Sequence, residues 1–65
     1  MNFYQLQRVA AQHIDSKITK KGVEVVVLVL SVRRITGLSK KFVYDYLEDL
    51  SNAGEVSIKE GVARR

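Results

Sequence analysis

Along residues 2–19, apolar side chains return every three or four positions. Phe3, Leu6, Ala10, Ile14 and Ile18 form one stripe with Val9 beside it, the period of an amphipathic helix. Gln5, Arg8, Gln12, Asp15 and Lys17 fall on or near the opposite side. Asn2 is placed to cap the first turn, because its side-chain oxygen can accept from a backbone N–H that has no partner within the helix. Lys20 and Lys21 suit the negative end of the helix dipole, and Gly22 is the predicted stop.

Residues 23–30, VEVVVLVL, carry two signals. Their β-branched side chains argue for a strand, where such residues pack well. Length and continuation into SVRRIT argue for a helix, in which Glu24, Ser31 and Arg34 share one stripe broken by Val27. The helix over about 23–36 is favoured, apolar nearly all round as a central helix packed on most sides would be. GLS at 37–39 is then a turn. Gly37 can take the left-handed conformation that ends one helix, Leu38 can drop into the core, and Ser39 can cap the next helix.

In that next helix, over residues 40–53, Phe42, Val43, Tyr46, Leu47 and Leu50 form the apolar stripe, while Lys40, Lys41, Tyr44, Asp45, Glu48 and Asp49 point outward. Gly54 ends it. EVSIK at 55–59 alternates like a half-buried strand, Glu60-Gly61 is a two-residue turn, and VARR returns as a second short strand. The predicted fold is mainly α with a small β-hairpin, all 65 residues forming one unit.

Two helices about a glycine turn make a helix-turn-helix, and a following hairpin makes it winged. Residues 28–58, LVLSVRRITGLSKKFVYDYLEDLSNAGEVSI, resemble the winged helix-turn-helix core of prokaryotic and archaeal transcription regulators. Gly37-Leu38-Ser39 is similar to that family's turn, Phe42-Val43 and Leu47 to its buried recognition-helix positions, and Leu50, Ala53-Gly54 and Val56 to the exit into its first wing strand. The resemblance implies three helices, a short C-terminal wing and binding of double-stranded DNA.

Charge agrees with that direction. Eleven Lys and Arg against seven Asp and Glu give a net charge of +4, which favours polyanions, nucleic acid before an anionic membrane surface. A recognition helix enters the major groove by its N-terminal turn, here Ser39, Lys40, Lys41 and Tyr44. Lys40 and Lys41 can neutralise phosphates, and Tyr44 can donate to a phosphate or press against a thymine methyl. Arg33 and Arg34 precede the turn, and Lys59, Arg64 and Arg65 lie on the expected wing, positioned to flank the duplex or enter the minor groove. Asp45, Glu48 and Asp49 depart from this pattern, since carboxylates repel phosphate. Either only the first turn and a half of the helix approaches DNA, or the module serves a larger nucleoprotein or protein assembly, such as an RNA-binding ribosome-associated subunit.

A chain this short is marginally stable alone and makes few DNA contacts, so a homodimer is expected. The first helix, through Phe3, Tyr4 and Gln7, is its predicted surface. There is no cysteine and one histidine, His13, so no metal or other cofactor is expected. His13 reads as a surface or boundary residue. No phosphate loop, nucleophile elbow or HExxH occurs, so neither enzyme activity nor a small-molecule substrate is expected. The longest apolar run, VVVLVL, is too short to cross a membrane. With no secretory pattern at the start, the expected location is cytoplasmic.

Overall fold

The computed structural model describes residues 2–65, which form three helices and a three-stranded antiparallel sheet. Helix α1 spans Phe3–Lys17. Its entry is fixed by a reciprocal pair: the Gln5 N–H donates to Asn2 Oδ1 (2.8 Å) and the Asn2 N–H to Gln5 Oε1 (3.1 Å). The helix ends earlier than the sequence suggests, at a C-cap on Ile18. Gly22 is not its stop. It closes a separate turn at φ +96°, where its N–H donates to the Thr19 carbonyl.

The strand and helix signals in residues 23–36 are both expressed. Val23–Glu24 form β1, and α2 follows directly over Val25–Thr36. Strand β1 exists because β3 (Val62–Arg64) lies beside it, pairing Val23 with Ala63 and Glu24 with Val62. The Val25 N–H continues the ladder to the Gly61 carbonyl (2.8 Å) before the helix begins. The expected hairpin is present, with β2 over Ser57–Lys59 and a turn at Glu60 (φ 52°) and Gly61 (φ 77°). β3 is the central strand of the sheet, with order β1-β3-β2. That position explains why the small Ala63 is wholly buried.

Gly37 ends α2 in the left-handed conformation (φ 75°, ψ 3°), its N–H bonded to the Arg33 carbonyl. Leu38 is buried, and Ser39 caps α3 (Lys40–Asn52), accepting from the Phe42 N–H. At the far end the Glu55 N–H reaches the Leu50 carbonyl and the Gly54 N–H the Ser51 carbonyl, the paired bonds of a Schellman stop.

One core joins the elements. Ala10, Ile14 and Ile18 meet Val25, Leu28, Val29 and Val32 of α2, Val43, Leu47 and Leu50 of α3, and Leu38, Val56 and Ala63. The picture of α2 as packed on nearly all sides is corrected: Val26, Val27, Leu30 and Ile35 are 62, 52, 58 and 53% exposed. A domain of this size has too few elements to surround a central helix, so one face of α2 stays in solvent. No helix among the described residues is long and apolar enough to cross a membrane.

Candidate nucleic-acid interface

The cationic side chains nearest the Gly37 turn come from two helix ends. Arg33 and Arg34 occupy the last turn of α2, where their charge favours the dipole. Lys40 and Lys41 open α3, where it opposes the dipole. All four are exposed. Arg33, Arg34 and Lys40 form no ion pair among the described residues. Lys41 Nζ donates to Asp45 Oδ2 at 2.7 Å, and that hydrogen bond, then the Asp45 charge, holds its pKa above the ordinary lysine value. An exposed pair of this kind contributes little to stability, but it partly neutralises Lys41. The first turn of α3 offers backbone N–H groups between these cations, and no acidic residue lies in that turn.

Beyond its first turn α3 changes sign. Asp45, Glu48 and Asp49 are exposed, and Lys40–Asn52 holds two lysines against three carboxylates, a net of −1. Tyr44 leans toward the hairpin, lining a groove with Val26, Leu47, Glu48 and Ile58.

The expected wing cations separate. Lys59 ends β2 beside the hairpin turn and is exposed. Arg64 and Arg65 fold back toward the turn after α1 and the end of α1 rather than out from the wing. Arg64 Nε donates to the Lys21 carbonyl (3.4 Å). Arg65 donates to the Ile18 (2.9 Å) and Asp15 (2.8 Å) carbonyls, with the Asp15 carboxylate 3.8 Å away. Arg65 thus satisfies carbonyls that the end of α1 leaves without helical partners.

Phe3 and Tyr4 are exposed on the first turn of α1 and Gln7 is half-buried. His13 is a boundary residue, its Nε2 hydrogen-bonded to Ser31 Oγ at 2.6 Å across α1 and α2. Neither that bond nor the α3–hairpin groove has a local sequence signal, since each joins residues far apart in the chain. Comparison with protein-family models, with curated proteins and with solved structures returns no significant match.

Proposed function

We propose that this chain is a winged helix-turn-helix protein that binds duplex DNA and regulates transcription. One observation carries the reading. Arg33, Arg34, Lys40 and Lys41 are exposed about a single left-handed glycine, where two helix ends meet. That cluster suits phosphates on either side of a groove entered by the start of α3. Ser39 is taken up by the cap it makes, so it orients the helix, while the neighbouring backbone N–H groups are free to meet phosphate. Tyr44 and Lys59 extend the contact toward the wing. Arg65 is held by the end of α1 and, more weakly, Arg64 by the turn that follows it, so the wing contributes mainly Lys59.

The test is fluorescence anisotropy with duplex DNA over a salt series. Binding is expected to weaken as salt rises, because each neutralised phosphate releases counterions. Lys40→Ala with Lys41→Ala, folded by circular dichroism, is expected to reduce the log–log salt slope by about 2. Absence of binding at low salt, or an unchanged slope in the double variant, refutes the reading.

The acidic face of Asp45, Glu48 and Asp49 favours a second reading, an interaction module within a larger nucleoprotein or protein assembly. Copurification of ribosomal RNA or a fixed protein partner, with no affinity for duplex DNA, would select it.

A further inference from the structure

The lysines after α1 lack the role that the sequence suggests for them. Lys20 and Lys21 would complement the helix dipole if α1 ran to Gly22, but the helix ends at Ile18, and the dipole acts only within the last turn. Lys17 stands in that turn, and Arg65 already meets carbonyls at the helix end. Lys20 and Lys21 are left on an exposed connection with no structural partner of their own.

The end of β3 brings further charge to them. The Arg65 N–H donates to the Thr19 carbonyl (3.2 Å), which pins the strand to the turn. Val23 pairs with Ala63, so the next position outward sets Gly22 against Arg64. A Cβ on Gly22 would lie 2.9 Å from both Cγ and Nε of Arg64. Without one, Arg64 lies across the turn and its Nε reaches the Lys21 carbonyl. Lys17, Lys20, Lys21, Arg64 and Arg65 thus gather against Asp15 and Glu24, five cations to two carboxylates, a net of +3. Asp15 is occupied, since it faces Arg65 and accepts from Tyr46. Lys17, Lys20, Lys21 and Arg64 are exposed and form no ion pair among the described residues. Like charges held this close repel one another, and a polyanion relieves that repulsion.

No exposed large hydrophobic side chain among the described residues lies on 17–22 or 62–65. The surface offers charge and nothing to enter the acyl region of a membrane, which favours a phosphodiester backbone. Helix α2 starts directly after β1 and runs to the Gly37 turn. The two cationic clusters therefore lie at opposite ends of a twelve-residue helix, about 18 Å apart along its axis. Exposed Val26, Val27 and Leu30 stand between them on α2 and offer phosphate no donor.

We infer that the turn after α1 is a second phosphodiester-binding surface, so that one molecule holds two duplex segments, one at each end of α2. The bridging rests on the DNA-binding reading of the Gly37 turn. The second surface does not.

The test uses one duplex fixed on beads, a second, fluorescent duplex in solution and the full chain at about 50 mM salt. The chain is expected to retain the fluorescent duplex on the beads. Lys20→Ala with Lys21→Ala, folded by circular dichroism, is expected to lower that retention about tenfold, while anisotropy still reports binding of a single duplex at the Gly37 turn. Arg8→Ala removes an exposed cation from the first half of α1 and controls for net charge. It is expected to leave retention unchanged. A chain that binds one duplex but retains no second one overturns the inference. So does retention that survives Lys20→Ala with Lys21→Ala, or that falls equally in Arg8→Ala. Binding to phosphatidylserine vesicles with no affinity for any duplex overturns both this inference and the DNA reading. Single-duplex binding lost in the Lys20, Lys21 variant but unchanged in Lys40→Ala with Lys41→Ala overturns only the reading of the Gly37 turn and supports the second surface.

Discussion

Gly22 and Gly37 both hold positive φ, but for different reasons. Around Gly37 an added Cβ would meet nothing within 4 Å, so only the backbone conformation demands glycine. At Gly22 the Cβ would lie 2.7 Å from Val62 Cγ1 and 2.9 Å from Arg64 Cγ, because the turn presses on β3. Gly37→Ala is therefore expected to destabilise by about 1–2 kcal/mol, the penalty of a left-handed L-residue. Gly22→Ala adds displacement of packed side chains, about 1–3 kcal/mol more. Urea unfolding of the two variants checks the order, and equal losses would contradict the close approach. Asn2, Gly37 and Ser39 were legible in the sequence because each acts on backbone within three or four residues. Arg64 and Arg65 were not: their partners lie more than forty residues away.

The elements meet through polar contacts that no single segment reveals. Tyr46 of α3 donates its hydroxyl to the Asp15 carboxylate of α1, with oxygen separations of 3.1 and 3.2 Å. Burial of the phenol, then that hydrogen bond and the Asp15 charge, raise its pKa above the usual tyrosine value. The unfolded chain therefore releases this proton first, and above about pH 10 the folded state binds more protons than the unfolded one. Stability from this contact is full below that range and is lost as pH rises through the folded value. Urea midpoints measured at about pH 9 and pH 11 are expected to fall with pH in the native chain, and to fall less in Tyr46→Phe. Lys41 changes in the same direction but is fully exposed, so its share is small. The apolar stripes of α1 and α3 told which faces turn inward, apart from the exposed Phe3. In α2 the stripe of Glu24, Ser31 and Arg34 marked the outward side, but the apolar pattern did not tell that Val26, Leu30 and Ile35 are exposed as well.

For the whole molecule the limiting quantity is the core. Among the described residues thirteen buried side chains support the fold, and a domain of this length is stable by about 3–10 kcal/mol. Leu28, in the first half of α2, is almost wholly buried and among the largest side chains in the core. Leu28→Ala is expected to cost about 2–5 kcal/mol and to leave a large unfolded fraction at room temperature, read as lost ellipticity and a broadened melt. Val26→Ala, in the same helix but exposed, is expected to leave the melt almost unchanged. Retained stability in Leu28→Ala would show that the core is less committed than its burial implies.

The sequence by itself determined the first and third helices, favoured the second, and determined the turn at Gly37, the hairpin at Glu60-Gly61 and the cations around the start of α3. These follow from periodicity, capping and turn chemistry, which act over a few residues. Only the tertiary structure decided that Val23–Glu24 become a strand, that Arg65 is held by the end of α1, and that Val26, Tyr44 and Ile58 line one groove. Each of those depends on which distant segment arrives alongside, and local pattern carries no record of that.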